Sequence, residues 1–270
     1  SIINTYDKIY FTAESTTDTI GKNRKWFPYN KGGGYRKWYG NAEYVVNYEN
    51  DGEEIKEYTS HLPQGTWVRI KSRDYYFKES ITWTFIAITP GFRYCPSGFI
   101  FDVAGSSLFV NDEIKEYVLG FLCSSVATYF LSILNPTMNV QTSDIRALPL
   151  IINNERKNEI ECIVENNIKI CKEDWNIFET SWDFTKNGLI DGEKFVEVSC
   201  EKFVQKCVNR FTELKKNEEK LNRIFLDIYD LTKDITYDVS DETISVSLVS
   251  EKESINNGLT VHENIRTETN

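Results

Sequence analysis

Between Lys22 and Tyr39 the chain places six cations and six aromatic residues around the triple glycine Gly32-Gly33-Gly34, without one carboxylate. Lysine and arginine neutralise phosphates and release counterions, glycine lets a main chain approach closely, and aromatic and amide side chains stack on or hydrogen-bond to bases. That chemistry suits a nucleic-acid backbone. The expected phosphate contacts are Lys22, Arg24, Lys25, Lys31, Arg36 and Lys37. Tyr29, Asn30, Trp38 and the more distant Arg93 are the expected base contacts, while Trp26 and Phe27 serve equally well as core. Arg69, Lys71 and Arg73 alternate with Val68 and Ile70, which on an extended segment puts all three cations on one face. They are expected to form a second wall of a binding groove. The competing reading of the island is a solvated hairpin whose aromatics cover a core edge.

Other chemistry lacks its residues. Gly32-Gly33-Gly34 has neither the spacing of a dinucleotide-binding turn nor a following Gly-Lys-Ser/Thr. Ser106 and Ser107 stand in no nucleophile elbow, and His61 and His262, the only histidines, are too far apart in sequence to suggest a zinc site. No catalytic, cofactor-binding or metal-binding residue is therefore expected. The six cysteines contain no C-x-x-C pair and read as free thiols, with Cys162, Cys171, Cys200 and Cys207 placed to behave as small hydrophobes on helices. The acid pairs Glu53-Glu54 and Glu218-Glu219 lie in polar runs and read as solvated faces.

The elements that must position the island follow from periodicity. The net charge of -10 falls mostly beyond residue 150, so the near-neutral first part holds the nucleic-acid-facing candidates. Short alternating or aromatic runs at Tyr44 to Tyr48, Thr66 to Ile70, Ile81 to Ile88 and Phe99 to Val103 predict strands. Asn50-Asp51-Gly52, Pro96-Ser97-Gly98 and Thr89-Pro90-Gly91 supply the reversals between them. Asp112 to Leu134 reads as one helix stopped by Asn135-Pro136. Apolar spacing predicts a helix from about 155 to 178, and another of some 30 residues, roughly 45 Å long, through Phe203, Phe211 and Phe225. These two should pack antiparallel as a spacer or dimerising arm. The resulting expectation is an α+β chain: a β-rich recognition domain at 1–150, a long antiparallel helical spacer at 151–235 and an acidic tail or linker at 236–270. No apolar run reaches the ~18 residues of a membrane span. The absence of an initiator methionine and of a signal sequence suggests a piece of a longer cytoplasmic protein.

Several separated motifs, in order, resemble the target-recognition region of BREX-type adenine-specific DNA methyltransferases of the PglX family. They are Lys25-Trp26-Phe27-Pro28-Tyr29-Asn30-Lys31-Gly32-Gly33, Arg36-Lys37-Trp38-Tyr39-Gly40-Asn41, Ile81-Thr82-Trp83-Thr84-Phe85, Gly98-Phe99-Ile100-Phe101-Asp102, Asn135-Pro136-Thr137 and residues 174–184. Relatives include fused restriction-modification enzymes. The resemblance implies phage defence, with double-stranded DNA as partner and methyl transfer from S-adenosylmethionine to the N6 of adenine. Asn135-Pro136-Thr137-Met138 lacks the second proline and the aromatic of the base-holding motif, and reads as a helix stop. Catalysis and the S-adenosylmethionine site are thus expected in an upstream domain of the same chain, with other phage-defence subunits as further partners and no membrane. A reading from another class is a protein-interaction or dimerisation module that uses the aromatic surface and the long helices.

Overall fold

A computed structural model describes residues 8–62, 70–190 and 192–248. The chain is α+β. Strands β1 (Trp26–Asn30), β2 (Tyr44–Asn47) and β5 (Ile100–Phe101) form one small sheet in the order β2-β1-β5. β1 runs antiparallel to β2, with Phe27 opposite Val46, and parallel to β5. A second sheet, β4-β3-β6, pairs β3 (Ser80–Thr84) antiparallel to both β4 (Arg93–Cys95) and β6 (Gly105–Leu108). The strands at 44–48, 81–88 and 99–103 are present but shorter than their apolar runs. The predicted strand at 66–70 lies largely outside the described residues.

Where the sequence reading expected a reversal between two strands, helix α1 (Glu49–Ser60) follows β2, and Asn50, Asp51 and Gly52 in its first turn take left-handed backbone angles, with φ of 50°, 59° and 73°. Asn and Asp tolerate that conformation better than other non-glycine residues.

The apolar stretch expected as one helix breaks in two. After a short 3-10 turn at Asp112–Ile114, α2 (Lys115–Leu122) stops and α3 (Ser125–Leu134) restarts at an angle of 75°. Ser124 makes the break: its hydroxyl caps α3 by accepting from the Ala127 N–H at 3.3 Å. The two apolar faces can then wrap around α5 and α6 instead of pointing along one line. Among the described residues no single helix is long and apolar enough to cross a membrane.

After α4 (Thr142–Ala147) come the two long helices, α5 (Lys157–Trp175) and α6 (Val196–Tyr229). They run antiparallel, since Glu159 meets Lys220 at 2.8 Å while Asn166 meets Glu213 at 2.7 Å and Asn167 meets Asn217 at 2.9 Å. Gly120 brings α2 against α5; a Cβ there would sit 2.8 Å from the Val164 Cγ2. The main core joins Trp38, Ile81, Trp83 and Phe92 to apolar residues of α2, α3, α5 and α6. Val239, Ile244 and Val246 complete it. The expected tail is therefore held on the molecule as far as Ser247, whose N–H reaches Asp174, and the residues beyond 248 lie outside the described ones. A smaller cluster around Phe27, Tyr48, Tyr76, Phe77 and Ile100 fills the space under the first sheet.

Candidate nucleic-acid interface

The cation-rich island divides in two at the glycines. Its first half leads into and along β1, where Phe27 and Pro28 are both buried and Trp26 is half-buried. Lys22 and Arg24 are exposed, and Lys25 meets Glu54 of α1 at 2.7 Å across a solvent-facing gap. Lys31, also exposed, lies 5.5 Å from the centre of the Tyr44 ring. On the same side, Asp51 at the left-handed turn accepts from Lys56 at 2.5 Å and from Arg73. Burial pushes the Asp51 carboxyl up, but hydrogen bonds from Lys56, Arg73 and Tyr48 together outweigh it and hold it below the usual carboxylate range. Gly21 and Lys25 hold the segment that carries Lys22 and Arg24 against α1, where Arg73 also reaches Asp51, while Lys31 lies past the other end of β1 beside Tyr44. The Lys25–Glu54 pair is exposed, and pairs of that kind are worth at most about 1 kcal/mol, whereas the Asp51 side chain is only 15% exposed.

The expected stripe of Arg69, Lys71 and Arg73 does not form as such. Arg69 lies outside the described residues. Ser72 is left-handed at φ 57° and Arg73 opens a 3-10 turn, so Lys71 and Arg73 do not share the face of an extended segment. Both are exposed.

The second half of the island turns inward, and this corrects its expected placement at the surface. The Arg36 guanidinium is buried, 2.7 Å from the Asp174 carboxylate of α5, donates from Nε to the Tyr39 carbonyl at 3.0 Å, and lies over the Trp175 ring at 4.9 Å. Lys37 forms an ion pair with Glu218 of α6, whose side chain is 2% exposed. Burial alone would lower the Lys37 ammonium, but Glu218 beside it prevails and raises it. Trp38 is fully buried and donates from Nε1 to the other Glu218 oxygen at 2.7 Å. Segment 36–38 can lie this deep because Gly91 presents no side chain: a Cβ there would stand 2.4 Å from the Arg36 carbonyl oxygen. These residues tie the β-rich part to both long helices, and Glu218 is no solvated acid.

Asn30 and Arg93 are likewise internal. Asn30 donates to the Thr82 hydroxyl at 2.6 Å and to the Gly105 carbonyl at 3.1 Å, joining the two sheets. Arg93 is 1% exposed and donates to the carbonyls of Gly91 at 3.2 Å and Arg36 at 3.4 Å. With no carboxylate beside it, burial pulls it down to about 10. Half-buried Tyr29 donates to Asp102 at 2.5 Å, and burial with that carboxylate raises its phenol. Asn135 ends α3 and organises the next turn, donating to the Asn139 carbonyl at 2.7 Å and to Asp144 at 2.6 Å. All six cysteines are free thiols; Cys171 and Cys207 are buried on their helices, whereas Cys162 is exposed.

No family model matches the chain. The adenine-specific methyltransferase PglX of Lacticaseibacillus casei (strain Zhang) is 39% identical over 246 residues, which is 86% of this chain and 20% of that protein. The adenine-specific methyltransferase BrxX of Escherichia coli O9:H4 (strain HS) is 41% identical over 217 residues, 78% of this chain and 17% of that protein. The chain thus spans about a fifth of the length of the curated relatives it matches, and it is related to that segment of these adenine-specific methyltransferases.

Proposed function

We propose that this segment is the DNA target-recognition module of an N6-adenine methyltransferase acting in phage defence, in a longer protein whose catalytic domain binds S-adenosylmethionine and holds the extruded adenine. The observation that carries the reading is the relationship over 86% of the chain to a protein named for adenine-specific methylation. The chain itself has neither the cofactor-binding glycine pattern nor the Asn-Pro-Pro-aromatic motif. Its contribution is then to grip the duplex around the target base. The exposed half of the island supplies that grip: Lys22 and Arg24 face solvent, and the Lys25–Glu54 pair is weak enough for a phosphate to replace the carboxylate. Arg36, Lys37, Trp38, Asn30 and Arg93 act from within, holding the module in shape.

The test is duplex binding by the chain as a function of salt. Changing Lys22 and Arg24 together to alanine is expected to weaken binding across many sequences and to reduce the slope of log K against log salt by roughly 2 units, about one per lost phosphate contact. Thermal stability should be preserved because both side chains are exposed. An unchanged affinity and slope would exclude this surface as the phosphate grip.

One feature favours a second reading, a protein-interaction module. Ala87 donates its N–H to the Met138 carbonyl at 2.9 Å, which sets Ile86, Ile88 and Met138 on neighbouring segments. They are 63%, 86% and 55% exposed. Binding through such an apolar surface would be nearly insensitive to salt, so the same titration separates the two readings.

A further inference from the structure

Asn30, Trp38 and Arg93 are buried and Tyr29 is held by Asp102, so the bases of a bound duplex must be read by side chains other than those four. One edge of the β-rich part offers such a set. There the chain leaving β1 meets the chain leaving β3: the Gly33 carbonyl accepts from the Thr84 hydroxyl at 2.9 Å, and the Phe85 N–H reaches the Ala104 carbonyl at 3.0 Å. Gly32 permits the approach, since a Cβ there would stand 2.6 Å from the Ala104 oxygen. Beyond Thr84 the chain pairs with the turn between α3 and α4. Val140 donates its N–H to the Phe85 carbonyl and Ala87 to the Met138 carbonyl, both at 2.9 Å, which sets Ile86 opposite Asn139 in an antiparallel bridge. These bonds bracket the pair without joining it, the arrangement in which opposed side chains stand closest, on one face. Ile88 follows two positions on, and Asn135 braces the ribbon by donating to the Asn139 carbonyl at 2.7 Å. Ile86 and Ile88 are 63% and 86% exposed. Asn139 is exposed as well, and among the described residues its side-chain amide makes no hydrogen bond.

Exposed aliphatic side chains alone suit a protein partner as well as DNA. Charge and composition decide between them. In a chain of net charge -10, the segments that meet at this edge, 31–34, 84–88, 103–104 and 135–140, hold no carboxylate, and neither do the longer runs 30–42, 80–101 and 117–143 around them. The flanking Asp102 accepts from the Tyr29 hydroxyl and the Ala104 N–H, and Asp144 from Asn135 and the Gln141 N–H. Exposed Lys31 leads into the glycine turn. A polyanion is therefore not repelled here. The centres of protein interfaces favour aromatic residues, Met and Arg, whereas this face sets two isoleucines beside an amide. Met138, next to Asn139, falls on the other face by alternation. The major groove of DNA admits a two-stranded ribbon, and in it thymine methyl groups take apolar contacts while Asn bonds to the N6 and N7 of adenine.

Resting on the DNA reading above, we propose that the ribbon of 84–88 and 138–140 enters the major groove and reads A·T pairs, with Ile86 and Ile88 against thymine methyl groups and Asn139 on an adenine edge.

Selection from a random-sequence duplex library with the 270-residue chain tests it, followed by titration of the enriched duplex carrying either thymine or uracil in its A·T pairs. Uracil differs from thymine only in lacking the methyl group. Enrichment of a site containing A·T pairs is expected, with uracil at the contacted positions weakening binding about fourfold per methyl, as loss of one buried methyl-sized group does. Ile86→Ala combined with Ile88→Ala should remove that difference, and Asn139→Ala should relax the choice of base at one position roughly tenfold. All three positions are exposed, so melting temperatures should match wild type. A selected site indifferent to uracil overturns the proposal. So does an isoleucine double variant that still discriminates against uracil, which would assign the two side chains to a protein face. Salt-dependent duplex binding without any enriched site overturns the ribbon's role and leaves the Lys22 and Arg24 grip standing. No duplex binding by the wild-type chain overturns both.

Discussion

Two acids on the long helices decide where the island's second half goes. Glu218 follows Leu214 by four positions and precedes Leu221 and Phe225 by three and seven, so it lies in register with the apolar stripe of α6. Asp174 falls in the same way after Ile160, Val164 and Cys171 on α5. A carboxylate in such a register must meet a cation or strong donors, because an unpaired buried charge is very costly. That signal was in the sequence, yet a reading by local composition sees only a lysine- and glutamate-rich run. The partners are 138 residues away for Arg36 and Asp174, and 181 for Lys37 and Glu218, beyond the reach of any local pattern. Glu218→Ala is expected to destabilise the chain by about 3 to 5 kcal/mol, since it strands the Lys37 ammonium and leaves the Trp38 N–H without its acceptor. Glu218→Gln keeps an acceptor for Trp38 and should cost less. Urea unfolding of both variants measures this; wild-type stability in Glu218→Ala would mean that neither group depends on the carboxylate.

At the scale of elements, what depended on period was legible and what depended on breaks was less so. The two long helices and their antiparallel pairing followed from stripes of Ile, Val, Leu and Phe at helical spacing; Lys157–Trp175 lies within the expected 155–178, and Val196–Tyr229 starts seven residues before Phe203, where the apolar pattern begins. The stretch 112–134 kept helical periodicity through Cys123 and Ser124, so nothing in its apolar pattern announced the bend; the serine cap does so only when its hydroxyl is seen to accept from Ala127. Strand β3 ends at Thr84 although apolar residues continue to Ile88, because from Phe85 onward the chain pairs with 104 and 138–140 instead. Phe225 shows what the helical stripe contributes. It is fully buried between the Tyr117 and Phe121 rings, at 5.6 and 5.8 Å. Phe225→Ala should therefore open a cavity and cost about 3 to 5 kcal/mol. Phe195, just before the same helix, is 61% exposed, and its alanine variant should stay within about 0.5 kcal/mol of wild type. Equal effects in the two would show that burial along α6 differs from the arrangement described above.

For the whole molecule, the main core ignores the boundary at residue 150. Trp38, Ile81, Trp83 and Phe92 belong to the same buried cluster as Phe211, Leu221 and Phe225, and Ile244 and Val246 close over it. Two polar links run in parallel with that contact: the Asp174 carboxylate receives Arg36 at 2.7 Å and the Ser247 N–H at 3.1 Å, while Lys37 donates its N–H to the Ser245 hydroxyl at 2.7 Å. The role proposed above, reading DNA in fixed register, calls for such rigidity, which a flexible spacer would not provide. The expected consequence is cooperative unfolding: probes of the β-rich part and of the helices should report one coincident transition in denaturant. Fluorescence of single-tryptophan variants that retain Trp38 or Trp83, for the β-rich part, and far-ultraviolet circular dichroism, for the helices, are suitable probes. Asp174→Ala should shift both signals together, because it releases Arg36 on one side and the 245–247 segment on the other. Two separated transitions, with the helical one unmoved by Asp174→Ala, would mean that the halves fold as independent units and that the contacts through 36–38 only dock them.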